Sequence, residues 1–189
     1  MPISNTEICN LTLKALGLDP ISSLASDTSQ AGIILRNTWE ATRDAILRAA
    51  NWRCLLSRSV SLAREAAAPS FGFSYAYALP SDYVRVVEMS VDADYSVEGR
   101  RLLTNEEEAY ILYVAYDKGT DLVALFDGHL VKAIVAQLAV DIAPSLKSKS
   151  IVPQLEVIAR DRLADAKLFS AIEARQKQAT CTALTDDVR

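Results

Sequence analysis

The stretch FGFSYAYALPSDYVRVVEMSVDADYSVEGRRLLT, residues 71–104, decides the fold that this sequence predicts. Its first segment has the two-residue period of a β-strand, with small side chains between large ones at Phe71, Phe73, Tyr75, Tyr77 and Leu79. Residues 83–91 indicate a second strand, and residues 95–98 and 101–104 indicate two more. Gly99-Arg100 fits a two-residue hairpin turn, because glycine accepts a positive φ. The stretch therefore predicts a compact antiparallel β unit.

Strands are also predicted on both sides of this stretch. Residues 56–62 alternate in character, which indicates a half-buried strand, and residues 63–70 are predicted to be a linker. Residues 109–116 form another β-rich run after an acidic turn at 105–108. We therefore expect a β insertion over about residues 54–116, with about four to six strands.

The N-terminal part predicts a short helix with defined ends. Ser4 and Glu7 match the capping box Ser-x-x-Glu, in which each side chain bonds the backbone N–H of the other residue. Gly17 suits the position just after the helix, where the chain turns with a positive φ.

A second, longer helix is expected to begin after Asp27 or Thr28, as its cap, and to run to about Ala50. Its apolar side is predicted from the helical spacing of Leu35, Trp39, Thr42, Ile46 and Ala49. Charged residues are expected mostly on its other sides, at Arg36, Glu40, Arg43, Asp44 and Arg48.

Two more helices are predicted after the β unit. Residues 122–146 carry apolar side chains at helical spacing, and Pro144 is expected to end or kink this helix. A last helix is expected from residue 151 to about residue 178. Its apolar members are Leu155, Ile158, Leu163, Ala166, Phe169 and Ile172.

The predicted fold class is α+β: mainly an α-helical bundle of about four helices with an inserted small antiparallel β domain. A chain of 189 residues is long enough for one domain with a real core. We expect that domain to span residues 1–178, with helices in 5–50 and 122–178. Residues 179–189 lack periodicity and are predicted to be a flexible C-terminal tail.

The net charge of −4 and the pI of about 5.1 argue against stable binding to DNA or RNA. A local basic patch remains open at Arg36, Arg43, Arg48, Arg53 and Arg58. The aromatic residues at 71–77 are expected to form a covered sheet face, because base stacking would need more basic neighbours.

Three cysteines, Cys9, Cys54 and Cys181, lack metal-ligand spacing and are expected to be reduced thiols of a cytoplasmic product. The N-terminus lacks the charged and apolar regions of a signal peptide. No apolar run approaches the roughly 20 residues that a membrane helix needs.

Candidate catalytic side chains are few. His129 is the only histidine, and we expect it at the surface or at a helix start. Glu106-Glu107-Glu108 and Asp141 could supply the carboxylates of a hydrolase, although a charge run in a turn is usually solvated. The sequence contains neither a dinucleotide-binding glycine motif nor a phosphate-binding loop. We therefore expect that the protein is not an enzyme and has neither a metal site nor a cofactor.

Several motifs occur in a defined order along the chain. They are EICNLTLKALG (7–17), RDAILRA (43–49) ahead of Trp52, the alternating aromatics followed by LPSDYVRV (79–86), VEGR (97–100), LTN (103–105) and the apolar residues 130–143. Together they resemble the head-to-tail adaptor family of tailed phages, the tail tubular protein A type, over roughly residues 5–175. The chain departs from the family pattern at Gly128-His129-Leu130, where a bulkier apolar helix entry is expected.

The resemblance implies a non-enzymatic structural protein of the virion, in its tail or neck, that is assembled in the host cytoplasm. Such a protein forms a homo-oligomer ring of about twelve copies beneath the portal protein. Its helices pack side by side around the ring, and its β unit faces the next component, a tail nozzle or tail tube protein. DNA passes through the lumen without specific binding, and no membrane is involved.

Adaptors of this kind extend a C-terminal segment into clefts of the portal, which implies that residues 179–189 dock there. The portal-docking residues are predicted to be Thr180, Ala183, Leu184 and Val188. Three alternatives stay open. They are another neck or tail-completion ring protein, a peptidoglycan hydrolase that uses Glu106 to Glu108 and Asp141, and a free helical regulator.

Overall fold

A computed structural model describes residues 3–116, 122–147 and 149–175. Within these ranges the chain forms four helices and two small antiparallel sheets, so the predicted α+β class is confirmed. All of the strands lie between the second and the third helix along the sequence.

The helices are α1 (Asn5–Ala15), α2 (Gln30–Arg48), α3 (Gly128–Leu146) and α4 (Val152–Arg175). The strands are β1 (Leu56–Arg58), β2 (Tyr75–Ala78), β3 (Tyr83–Met89), β4 (Tyr95–Glu98), β5 (Arg101–Thr104) and β6 (Ile111–Ala115). One sheet has the order β1-β6-β3 and the other has the order β2-β5-β4, with all neighbouring strands antiparallel.

The predicted hairpin is confirmed at the β4–β5 turn. Glu98 pairs with Arg101 across Gly99-Arg100, and Gly99 has a φ of +61°. The sequence predicts this turn from the turn residues alone, because a positive φ favours glycine.

The predicted aromatic strand is shorter than expected. β2 begins only at Tyr75, after a bend that includes Gly72 with a φ of +85°. Phe71 is consequently 87% exposed, whereas Tyr77 is 1% exposed. The aromatic residues at 71–77 are expected to be covered. This is confirmed for Tyr77 and wrong for Phe71.

The strand predicted over residues 56–62 is also shorter, because β1 ends at Arg58 and Val60 is 83% exposed. The linker that follows is not free of the sheet. Arg64 forms an isolated antiparallel bridge with Tyr77, so this segment lies beside β2. The alternation of polar and apolar side chains therefore predicts a longer strand than the structure has. The length of β1 is set by its pairing with β6.

α3 is the central helix and packs against α1, α2 and α4. Its inward side chains are fully buried and recur every four residues, at Leu130, Ile134, Leu138 and Ile142. The prediction that no apolar run is long enough for a membrane helix is wrong for α3: by length and composition alone this helix could cross a membrane, a test that core helices of soluble proteins also pass. The other helices cover this apolar side, so α3 is the core helix of this fold.

The sheet β1-β6-β3 lies between the helices and the second sheet. Val84 and Val87 of β3 pack on the helical core, and so does Val114 of β6. Val86 of β3 and Tyr113 of β6 pack instead into a second apolar cluster, which includes residues of β2 and β5. Both faces of this sheet are therefore in contact with other elements, which ties the β unit to the helices.

The predicted ends of α1 are confirmed. The Ser4 N–H donates to Glu7 Oε2 at 2.7 Å, and the Glu7 N–H donates to Ser4 Oγ at 3.2 Å, which completes the capping box. Gly17 has a φ of +65°, and the Leu18 N–H donates to the Leu13 carbonyl at 2.9 Å. This pair of features is the Schellman ending of a helix.

The cap of α2 is a correction. Ser29, rather than Asp27 or Thr28, accepts the Gly32 N–H at 3.1 Å and begins the helix. Asp27 instead accepts hydrogen bonds from Ser29 and from Ser22, and these bonds lower the pKa of its carboxyl to about 2. The carboxylate therefore organises the loop ahead of the helix.

The position of Arg43 on α2 also differs from the prediction, which placed its side chain away from the apolar side. The expected apolar side is buried at Leu35, Trp39, Thr42 and Ile46, but Arg43 is also only 3% exposed. Its guanidinium donates to Asp44 Oδ1 at 2.8 Å and lies 4.7 Å from the ring centre of Tyr116.

The third helix starts later than predicted, and the predicted end of the last helix, at about residue 178, lies outside the described residues. Leu122–Leu125 form a separate 3₁₀ turn, and Asp127 Oδ1 caps α3 by accepting the N–H groups of His129 and Leu130 at 2.8 Å each. Pro144 lies in the last turn of α3, where the helix is about to end, in agreement with its expected role.

Candidate interaction surfaces

α4 packs on the helical core through small buried side chains and through partly buried larger ones, Val152, Leu155 and Leu163. Ala159, Ala166 and Ser170 are buried on the side that meets α3. Ser170 Oγ also accepts the Arg53 N–H at 3.1 Å and donates to the Asn51 carbonyl at 3.2 Å. Most of the other described positions of α4 are exposed.

The outer face of α4 carries large apolar side chains that are 47% to 58% exposed: Val157, Ile158, Leu168, Phe169 and Ile172. At about 100° per residue, they fall within an arc of roughly 120° that points away from the buried side. Among the residues of α4 whose side chains the structure describes, the charged ones inside this arc are Asp161 and Asp165, both exposed. We call these residues the α4 arc.

A groove of about 530 Å³ lies on the outer side of α1. Its lining includes Ile3, Glu7, Leu11, Lys14, Leu18 and Pro20. Asn10 shapes it, because its amide bonds both the N–H and the carbonyl of Ile21, at 2.9 and 3.0 Å, and so holds the loop after α1 against the helix. We call this feature the α1 groove.

A third group of exposed apolar side chains lies near the start of β6, the strand whose other end packs in the helical core. Tyr110 lies just before β6. Backbone hydrogen bonds of neighbouring residues place Val60 on one side of Tyr110 and Val91 on the other. These three side chains are between 38% and 83% exposed. We call them the β tip.

The candidate carboxylates lie on different elements. Asp141 accepts hydrogen bonds from Thr42 of α2 and, at 3.0 Å, from Gln137 of α3. Glu106 to Glu108 belong to the β5–β6 connection, where Tyr110 donates to Glu108 at 3.0 Å. The structure does not bring these two sets together. Among the residues that it describes, no three His, Cys, Asp or Glu side chains are grouped so that they could hold a metal ion.

His129 lies at the start of α3, as expected. Its half-buried ring stacks on Phe169 of α4, with 3.8 Å between ring centres. The histidine therefore supports one edge of the α4 arc.

The described cysteines are poor nucleophiles. Burial raises the pKa of Cys9 to about 12 and that of Cys54 to about 11, so both thiols stay protonated near neutral pH. Cys181 lies outside the described residues.

The possible arginine patch on residues 36–58 loses one of its five members to the interior. Arg43 is buried, and Arg36 donates to the backbone carbonyls of Leu24 and Asp27 at 2.9 and 2.6 Å. At the sheet, the guanidinium of Arg64 lies 3.9 Å from the ring centre of Tyr75.

The predicted portal-docking residues, Thr180, Ala183, Leu184 and Val188, lie outside the described residues, so their role stays a prediction. Helical periodicity predicts Ile158, Phe169 and Ile172 as apolar members of the last helix but does not separate the α4 arc from the buried side. The signal that would have separated them is Ala159 and Ala166, small residues that mark the inner side. No protein-family model and no curated protein matches this sequence.

Proposed function

We propose that this protein is a structural head-to-tail adaptor of a tailed phage. It forms a ring of about twelve copies that docks on the portal protein and connects it to the tail. The observation that carries this proposal is the α4 arc, an apolar face on a helix whose opposite side is already anchored. Contiguous exposed apolar surface of this kind is typical of sites that bind other proteins.

A connector needs separate surfaces for unlike partners, and the β tip supplies a second one away from the helices. In this proposal residues 1–178 are a single adaptor domain. The helices within 5–50 and 122–178 form the ring and meet the portal. The insertion at about 54–116 faces a tail nozzle or tail tube protein.

The negative net charge of the chain supports the proposal that DNA passes through the lumen of the ring without being retained. The net charge is −4, and Arg43, one of the five arginines between residues 36 and 58, is buried. The separation of Asp141 from Glu106 to Glu108 supports a structural role over a hydrolase, because glycosidases place two carboxyl groups on either side of one bond.

The test is co-assembly with the portal protein encoded by the same phage. Mixed on a sizing column, the two proteins should elute together, and negative-stain images should show an added ring on one side of the portal. Elution as two separate species would overturn the adaptor assignment. Binding to tails that lack the portal would instead favour a neck or tail-completion protein, and release of soluble muropeptides from cell walls would favour the hydrolase.

A further inference from the structure

We propose that the α4 arc of one copy docks in the α1 groove of the next copy, with Lys14 placed against Asp161 and Asp165. This inference rests on the proposed ring and assigns the interface that would close it. The partner of both surfaces is therefore a second copy of this chain, in a head-to-tail arrangement.

The shapes of the two surfaces are complementary. The α4 arc is the convex face of a long helix, with Leu168 58% and Val157 52% exposed. The α1 groove is concave and apolar in most of its lining, and Leu11 at its wall is 42% exposed. An amphipathic helix laid in an apolar groove is a recurrent mode of protein recognition, and it buries surface that each side leaves in water here.

The charges are complementary as well. Asp161 and Asp165 are one helical turn apart, so their carboxylates repel each other on the isolated helix. Lys14 is exposed in the last turn of α1 and has no ion pair among the described residues. Glu7, the other charged residue of the groove, is already engaged by the Ser4 N–H at 2.7 Å. A neighbouring copy would therefore set one free cation between two like-charged carboxylates.

The position of the helices favours a head-to-tail contact over a symmetric one. α1 and α4 each pack on α3, so one copy presents both surfaces at different places. Two copies paired arc to arc would bring both aspartates of each chain together, and like charges across an interface disfavour that pairing. Head-to-tail contacts of unlike surfaces are those that generate rings.

A zero-length carbodiimide cross-linker tests the contact without any mutation, because it joins an amine only to a carboxylate in direct contact. Equal amounts of ¹⁴N-labelled and ¹⁵N-labelled full-length chains are mixed, treated with and without portal, and digested. The expected product joins a peptide that contains Lys14 to one that contains Asp161 or Asp165, with half of the pairs carrying mixed isotopes. Cross-linked products in which Lys14 is joined only to other sites, or to portal peptides, would overturn the assignment.

A pair of variants then tests the direction of the contact. The arc variant carries Leu168→Asp, and the groove variant carries Lys14→Glu with Leu11→Asp. Each is expected to lose ring formation on its own. Mixed together, they keep one intact interface, so they should form a dimer that cannot grow. In that dimer, Lys14 of the arc variant is joined to Asp161 or Asp165 of the groove variant, and the isotope label identifies each chain.

The control is Lys167→Glu, which changes an exposed charge on α4 outside the arc and should leave assembly unchanged. Self-association of the groove variant would overturn the head-to-tail assignment in favour of an arc-to-arc contact. If both variants still form a ring on the portal, the contact between the α4 arc and the α1 groove is overturned, and the adaptor function is not. If the chains cross-link as predicted but leave the portal without a ring, the interface stands and the adaptor function is overturned.

Discussion

Arg43 is the charged side chain, among the described residues, that is held inside the helical body. Its place on α2 next to Thr42 puts it at the edge of the apolar side, and its long stem can follow that side inward. The guanidinium is then met by Asp44, by the face of Tyr116 and by Trp39. The sequence could not predict this burial, because Tyr116 comes from the far end of the β unit along the chain.

We expect Arg43→Ala to lower the free energy of unfolding by about 2–3 kcal/mol, through the lost stem packing and the lost cation–π contact. Arg48→Ala, at an exposed position on the same helix, should change it by less than about 0.5 kcal/mol. Urea denaturation followed by tryptophan fluorescence measures both. Equal effects of the two changes would show that the Arg43 side chain is not buried in solution.

The buried thiols give a second expectation at this scale. Folding raises the pKa of Cys9 to about 12 and of Cys54 to about 11, so their protons are held above the pH at which an unfolded thiol ionises. At about pH 8, the thiolate fraction of either residue is on the order of one in a thousand or lower. Of the three cysteines, at most one should react quickly with Ellman's reagent in the folded chain, and all three in concentrated guanidinium chloride. Rapid reaction of two or more thiols in the native protein would contradict the burial.

Elements whose signals are local were predicted well from the sequence. The capping box of α1, its Gly17 ending and the hairpin at Gly99 each depend on residues within a few positions of one another. β1 and β2 were predicted too long, because partner strands and the bend at Gly72 set their ends. The cap of α2 was displaced by the competing hydrogen bonds of Asp27.

The hairpin turn can be tested with two glycines, one with a positive φ and one without. A Cβ added at Gly99 or at Gly128 would meet no atom within 4 Å, but only Gly99 has a positive φ. Gly99→Ala should therefore destabilise the chain by about 1 kcal/mol, while Gly128→Ala in the first turn of α3 should stabilise it by about 0.5 kcal/mol. Thermal melts that move in the same direction for both variants would rule out this account of the turn.

At the scale of the whole molecule, the apolar residues of the last helix serve two purposes that composition cannot separate. Ala159 and Ala166 are buried, whereas Val157 and Leu168 are more than half exposed. Helical periodicity predicted a helix there, but only the position of α3 shows which side is left uncovered. The general architecture therefore follows from the sequence, and the interaction surfaces follow from the packing.

The stoichiometry of the portal complex tests the adaptor proposal most directly. Native mass spectrometry of the purified complex counts the copies of each chain without assuming symmetry. We predict a portal ring that carries about twelve copies of this protein, added with no stable partial rings because each copy uses its neighbour as well as the portal. A portal of unchanged mass, with this protein present only as a separate monomer, would contradict the proposal.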